Sequence, residues 1–218
     1  MIIETCSSMA NSNAAASMQC SGSEDTSNQQ ILHQRRSYNK ISPSANLSLG
    51  TWNCGGLSKI KKDFIINEDL DVACVTETHE WRDSDPLTIY SDPPPKSDSW
   101  AGVGLILNKR ISKYVMNSGS IGSRITFVRL CGLICNLFII GVYIPQKMRT
   151  KPSQKNTYDE LEKLLMSINT RDCVIILGFN SRLARSIDGQ VGKWSIHQYS
   201  DKGGERLQNI MNIFAIFV

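Results

Sequence analysis

From residue 47 onward, the hydrophobic and polar positions alternate between strand-like and helix-like spacing. Alternation over residues 47–52 predicts a β-strand, and the nearly continuous apolar run over residues 70–75 predicts a strand buried on both faces. Between these strands, apolar residues recur at helical spacing and predict an amphipathic helix, carried by Leu57, Ile60, Phe64 and Ile65.

Three more strand-like runs follow with no helical pattern between them, at residues 103–107, 125–130 and 137–143. Their close succession predicts an antiparallel meander. An amphipathic helix is predicted from Tyr158 to Ile168, a buried strand over residues 174–177, and a final helix from Leu207. Strand–helix–strand units combined with a meander predict an α/β fold with mixed sheets.

Residues 1–46 have a different composition from the remainder. They are rich in serine and asparagine and contain one aromatic residue, Tyr38. Such a segment has too little apolar surface to offset the entropy lost on ordering. The sequence therefore predicts a disordered leader over residues 1–46 and one domain over residues 47–218.

Composition narrows the class of protein. The 218 residues are 41% hydrophobic, which allows one globular core, and the net charge of +4 is compatible with a polyanionic partner such as DNA. No apolar run reaches the roughly 18 residues that a membrane span needs, and the N-terminus lacks the pattern of a signal peptide. Seven cysteines without a Cys-x-x-Cys pair favour a reducing compartment, nucleus or cytoplasm, over a disulfide scaffold or a zinc site. No obligate protein partner is evident.

Polar side chains stand at the ends of four predicted strands. Asn53, Glu77 and Asn180 each follow a strand of the buried type, and Tyr143 ends another. Converging amide and carboxylate oxygens would suit Mg²⁺, which binds one or two protein carboxylates and keeps several waters. Each residue also has a purely structural explanation, because asparagine forms turns and a single glutamate often makes a surface ion pair.

Six short segments occur in an order that resembles a known superfamily. They are Gly50-Thr51-Trp52-Asn53, Val75-Thr76-Glu77-Thr78-His79, residues 100–107, residues 136–145, residues 175–180 and Gly203-Gly204-Glu205-Arg206-Leu207. This series resembles the endonuclease/exonuclease/phosphatase superfamily. It looks closest to the apurinic-endonuclease-like domains of LINE-type retrotransposons and to the related craniofacial development protein family, over residues 47–218.

The resemblance implies a sandwich of two mixed β-sheets with flanking helices and Mg²⁺-dependent hydrolysis of phosphodiesters in DNA. It assigns Glu77 as the metal carboxylate and Asn53 as a residue that orients the metal. It places Tyr143 near the scissile phosphate, and Asn180 where it positions the phosphate or the attacking water. Basic residues would then line the rim of the site: Lys147, Arg149, Lys151, Lys155, Arg182 and Arg185.

Two departures from the family pattern affect the expected activity. Related nucleases read Gly-Asp-Phe-Asn where this chain reads Gly178-Phe179-Asn180, so the aspartate that orients the attacking water is deleted. The family's later Ser-Asp-His signature, with the C-terminal strands that carry it, is absent from residues 1–218. His197 comes too early in the chain to stand in for its histidine. His79, which follows Glu77, is as readily a loop residue as a residue near the site.

The sequence therefore favours an endonuclease domain with little activity. A non-catalytic retroelement-derived fragment with at most weak nucleic-acid binding is the alternative. A phosphatase of the same superfamily ranks third, because the segments resemble the retroelement branch more closely.

Overall fold

The structure, a computed structural model, describes residues 38–42, 44–79, 87–93, 101–145, 151–184 and 197–214, without the side chains of residues 151–154 and Phe214. In this part of the chain, eight strands form two four-stranded sheets accompanied by four helices. The strands are β1 (Leu49–Asn53), β2 (Val72–Thr76), β3 (Thr88–Tyr90), β4 (Val103–Leu107), β5 (Val115–Ile121), β6 (Ile125–Leu130), β7 (Leu137–Val142) and β8 (Cys173–Leu177). The helices are α1 (Lys59–Asn67), α2 (Lys109–Ser112), α3 (Lys151–Ser167) and α4 (Lys202–Phe214).

The first sheet has the strand order β1-β2-β4-β3. β1 and β2 are parallel, with Asn53 opposite Thr76 at their C-terminal ends. β4 runs antiparallel to both of its neighbours, β2 and β3. Because β1 and β2 run in the same direction, the residues that follow them emerge at one edge of the sheet.

The second sheet has the order β5-β6-β7-β8. Its first three strands form an antiparallel meander, whereas β7 and β8 are parallel, with Gly141 opposite Leu177. The ends of β7 and β8 therefore also emerge together. We use the term strand-end edge for the edge of the molecule at which β1, β2, β7 and β8 end.

The predicted α/β architecture of two mixed sheets is confirmed, but the predicted meander contained the wrong first strand. β4 lies in the first sheet, and the meander begins with β5. β5 is polar at its centre, where Asn117 and Ser118 are exposed, so its hydrophobic pattern does not indicate a strand. As an outer strand of the sheet, β5 needs little apolar surface, and its pairing with β6 outweighs its weak intrinsic propensity for β-structure.

Three apolar clusters hold these layers together. Between the sheets, β2 and β4 pack against β6 and β7, with Val72, Leu105, Val128 and Ile139 fully buried. On the outer face of the second sheet, α3 and α4 bury a second cluster that contains Leu161, Tyr158 and Ile210. On the outer face of the first sheet, α1 covers a smaller third cluster. The order of layers is helix, sheet, sheet, helix pair.

The first described residues contribute to the core before the predicted domain boundary at residue 47. Ile41 is buried, donates its N–H to the carbonyl of Cys131 (2.9 Å) and pairs with Gly132. Residues 1–37 of the predicted leader lie outside the described part of the chain, so disorder there stays a prediction. None of the helices in the described residues is long and apolar enough to cross a membrane.

The Gly203-Gly204 pair of the last motif lies in the first turn of α4. Asp201 caps the helix by accepting the N–H of Gly204 at 2.8 Å. A Cβ atom at Gly204 would collide with the carbonyl of Arg182, and one at Gly203 would collide with the Ser181 hydroxyl. The missing side chains let α4 lie directly against the segment that follows β8.

Gly178 lies where the two sheets approach each other closely near the strand-end edge. Its φ is +80°, and a Cβ atom there would lie 2.9 Å from Thr76 Cγ2 and 3.0 Å from Cys74 Sγ. Gly178→Ala should therefore lower the free energy of unfolding by at least about 2 kcal/mol, because it combines left-handed backbone strain with overpacking. Urea denaturation measures this change.

Gly55→Ala is the matched control for this substitution. Gly55 also has a positive φ, +50°, but a Cβ atom there would meet nothing within 4 Å. Gly55→Ala should therefore lower the free energy of unfolding only by the cost of the left-handed backbone, about 1 kcal/mol. If both variants lost the same free energy of unfolding, the contact of Gly178 with the first sheet would contribute nothing.

Candidate active site

The segments after β1 and β2 run side by side at the strand-end edge. The N–H of Cys54 donates to the carbonyl of Thr76 (2.9 Å), and the N–H of Gly56 donates to the main-chain carbonyl of Glu77 (2.7 Å). Asn53 is therefore the last residue of β1, and Glu77 is the first residue after the neighbouring parallel strand β2, one register step away. This placement agrees with the expectation that their backbones reach a common edge.

Asn53 makes a turn at this edge. Its amide oxygen accepts the N–H of Gly55 at 3.2 Å, which is the geometry of an Asx turn, and the residue is exposed. Asn53 therefore forms a turn, which is the structural role that the sequence analysis gave as the alternative to metal binding. The same oxygen has a second lone pair available for a ligand.

Glu77 and Tyr143 are in direct contact. The Tyr143 hydroxyl donates to Glu77 Oε1 at 2.9 Å, so one side chain from the first sheet is bonded to one from the second. Tyr143 is 7% exposed, and Glu77 is half-buried. A hydrogen bond to an ionised acceptor is stronger than a neutral one, so this contact fixes the carboxylate in a defined orientation.

Backbone strain concentrates at the strand-end edge. Of the four non-glycine residues with positive φ in the described ranges, three follow β2 or β8: Glu77 (+55°), His79 (+54°) and Asn180 (+43°). Such conformations cost about 1–3 kcal/mol each and persist where the surroundings dictate them. Their concentration here marks the edge as the candidate site.

The segment after β8 places one side chain in the core and one at the strand-end edge. Phe179 packs into the cluster beneath α3, with its ring centroid 6.3 Å from that of Tyr158. Asn180, in the left-handed conformation, donates from Nδ2 to the carbonyl of Ile144 at 3.1 Å. Phe179 thus serves the hydrophobic core, and the segment Gly178–Asn180 brings no carboxylate to the site.

Two cations that the sequence analysis did not single out lie near this group. Lys61 Nζ donates to the carbonyls of Cys54 (2.6 Å) and Gly56 (2.9 Å), which follow β1. The guanidinium carbon of Arg124 lies 5.4 Å from the centroid of the Tyr143 ring, and Arg124 is 6% exposed. Lys61 lies within the amphipathic helix α1. Arg124 lies in the turn between β5 and β6, and the position of this turn depends on the tertiary pairing of β6.

The buried thiols at this edge are not nucleophiles. Burial raises the pKa of Cys54 to about 11, partly offset by the charge of Lys61 and reinforced by that of Glu77. Burial raises the pKa of Cys74 to about 12. Both thiols are protonated near neutral pH, and a thiol reacts as its thiolate.

The remaining predicted residues divide into described and undescribed ones. His79 is half-buried two residues after Glu77, and His197 forms an isolated bridge with Ala184. Lys155 and Arg182 are exposed. The other predicted rim residues, Lys147, Arg149 and Arg185, lie outside the described residues, as does the side chain of Lys151.

The donor set fits a loosely held divalent cation. Within the described ranges, the structure contains no group of three or more His, Cys, Asp or Glu side chains that could hold a metal ion. Glu77 offers one carboxylate whose second oxygen is not engaged by Tyr143, and Asn53 offers an amide oxygen. This set suits Mg²⁺ that retains most of its water and does not suit Zn²⁺.

Comparison with the sequences of known proteins finds two curated relatives. No protein-family model matches the chain. Two curated relatives, craniofacial development protein 2 of Bos taurus and of Tragulus javanicus, are 26% and 25% identical over 71% of the chain. The chain spans only 28% and 29% of the length of these relatives.

Three solved structures have similar folds. The catalytic domain of APE2 from Xenopus laevis gives a TM-score of 0.54 at 18% identity, covering 75% of this chain and 67% of that one. The endonuclease domain of TRAS1, a telomere-specific non-LTR retrotransposon, gives 0.51 at 11%, covering 77% and 70%. The 3′ phosphatase NExo from Neisseria, bound to a product DNA hairpin, gives 0.51 at 14%, covering 77% and 71%. The chain has the endonuclease/exonuclease/phosphatase fold, as the sequence resemblance implied.

The contact between Glu77 and Tyr143 can be measured by a double-mutant cycle. Tyr143→Phe, Glu77→Ala and the double variant should show a coupling free energy of about 1 kcal/mol or more. Each single substitution removes the charge-assisted hydrogen bond, so the double variant loses less than the sum of the two. Chemical denaturation of the four proteins gives this value.

The control cycle pairs Glu77→Ala with Tyr158→Phe. The Tyr158 hydroxyl donates to the carbonyl of Gly203 at 2.9 Å and shares no partner with Glu77. These two substitutions should be additive within about 0.5 kcal/mol. A coupling no larger for Tyr143 than for Tyr158 would contradict the described contact.

Proposed function

We propose that this chain is a DNA-binding domain of the retrotransposon endonuclease type that retains a phosphodiester site but hydrolyses DNA only slowly. One observation carries the proposal: at the strand-end edge Tyr143 is bonded to Glu77, whereas Phe179, at the place of the family's aspartate, packs into the core. The first half of this observation supports a retained site. The second half supports weak catalysis.

In this proposal, Glu77 and Asn53 hold Mg²⁺ together with water. When bound, the ion polarises a phosphoryl oxygen and stabilises negative charge on it. Tyr143 keeps the Glu77 carboxylate oriented through the 2.9 Å hydrogen bond. Asn180 has one amide N–H bonded to Ile144, and its second N–H is a donor for a phosphate oxygen or a water.

Slow hydrolysis follows from what the site lacks in the described residues. In-line attack on a phosphodiester needs a water whose proton is accepted by a positioned base. In this proposal Glu77 holds the metal, and the segment Gly178–Asn180 contributes no carboxylate. Loss of a general base typically costs about 10²–10⁴-fold in rate.

DNA is the proposed partner for two reasons. The net charge is +4 and the exposed Arg182 follows Asn180, so cationic side chains are available at the strand-end edge for phosphate contacts. Among the proteins of similar fold, TRAS1 is a retrotransposon endonuclease domain and NExo is bound to a DNA hairpin. A nuclear or cytoplasmic location, where DNA intermediates of retroelements occur, is part of the proposal.

The binding arm of the test uses fluorescence anisotropy with a labelled abasic duplex over a series of salt concentrations. We expect affinity to fall linearly on a log–log scale as salt rises, and binding to persist in EDTA. Arg182→Gln should weaken binding and reduce the salt slope by about one. Lys113→Gln removes an equal charge beside α2, at the opposite edge, and should change neither quantity.

The catalytic arm follows nicking of supercoiled plasmid in Mg²⁺ and in EDTA. We expect nicking at least about 100-fold slower than by the TRAS1 endonuclease domain under the same conditions. Rapid Mg²⁺-dependent nicking that Glu77→Ala abolishes would contradict slow catalysis. Salt-independent or undetectable DNA binding would overturn the proposed function, and binding without any nicking would favour the non-catalytic alternative.

A further inference from the structure

We propose that Arg124 is a positioning residue of the candidate site, which holds the Tyr143 phenol against Glu77. The inference rests on the proposed function for its biological meaning. Its geometry is independent of catalysis: Arg124 stands in the turn between β5 and β6, and the side chain that it contacts follows β7.

Arg124 holds Tyr143 at two points. Its main-chain carbonyl accepts the N–H of Tyr143 at 2.9 Å, which extends the β6–β7 pairing by one residue. Its guanidinium lies over the Tyr143 ring, with 5.4 Å between the guanidinium carbon and the ring centroid. The backbone and the ring of Tyr143 are thus held by the same residue, and the phenol has little freedom to turn away from Glu77.

The contact also has an electrostatic consequence. A desolvated cation over an aromatic ring is attracted by the ring's electrons, and Arg124 is only 6% exposed. The cation draws electron density from the phenol, so its hydroxyl becomes a stronger hydrogen-bond donor. Arg124, Tyr143 and Glu77 therefore form a continuous series from a buried cation to the carboxylate of the candidate site.

The neighbouring turn residues support this arrangement. Ser123, directly before Arg124, accepts the N–H of Gly102 at 3.1 Å, and Gly102 in turn accepts the N–H of Thr78 at 3.3 Å. The turn that carries Arg124 is thereby tied to the segment that carries Glu77. Both ends of the Tyr143–Glu77 contact are connected to the same turn.

A buried arginine could also have a purely structural role, and the chain provides a comparison. Arg129, in β6, is bonded to the buried Asp172 through Nε (2.7 Å) and Nη2 (3.0 Å). It lies towards the end of β6 away from Tyr143. Arg129→Gln removes a half-buried, ion-paired cation from the same sheet without touching the candidate site, so it reports the effect of destabilisation alone.

The test is an NMR measurement on the full chain labelled with ¹³C at tyrosine Cζ. Tyr143→Phe assigns the Tyr143 signal, and Glu77→Gln gives its position when the acceptor is uncharged. We expect Arg124→Gln to move the Tyr143 signal in the direction that Glu77→Gln does. Arg124→Lys should restore most of the original shift, and Arg129→Gln should leave the signal unchanged.

The outcomes separate this inference from the proposed function. An unmoved Tyr143 signal in folded Arg124→Gln, or an equal movement in Arg129→Gln, would overturn the positioning role. If Arg124→Gln fails to fold, Arg124→Lys and Arg124→Met are compared instead. Both have long unbranched side chains, and only the lysine keeps the positive charge. The DNA-binding assay is read separately, so loss of the proposed function leaves this result interpretable.

Discussion

The candidate site depends on one hydrogen bond that joins the two sheets, from the Tyr143 hydroxyl to Glu77. It can form because each sheet ends two parallel strands at the same edge, and because the sheets face each other across an apolar core. Gly178 allows the close approach at this point, since any side chain there would meet Thr76 and Cys74. The hydrogen bond at the strand-end edge therefore depends on the close packing between the two sheets.

The segment after β8 fills the core and also holds a polar side chain at the strand-end edge. The sequence Gly178-Phe179-Asn180 keeps the core filled, because the Phe179 ring packs beneath α3 against Tyr158. Asn180 keeps a hydrogen bond to Ile144 by adopting a left-handed backbone. A core accepts any apolar group of suitable size, whereas phosphodiester hydrolysis requires a base at a defined distance.

Charge at the strand-end edge is distributed differently from the metal-centred site that the resemblance implies. One carboxylate, Glu77, lies near two cations: Lys61, held by loop carbonyls, and Arg124, packed over the Tyr143 ring. Arg124 is 6% exposed, so it balances the charge of Glu77 from within the fold.

The sequence determined the main strands, the amphipathic helices and the order of the motifs, because hydrophobic periodicity is local and reports which face each element buries. It also identified Glu77 and Tyr143, which the tertiary structure brings into contact. It missed β5, whose polar centre gives no strand pattern, and it assigned β4 to the wrong sheet. Only the tertiary structure placed Phe179 in the core and Arg124 against Tyr143, because pairing between distant strands fixes which side of a sheet each residue faces.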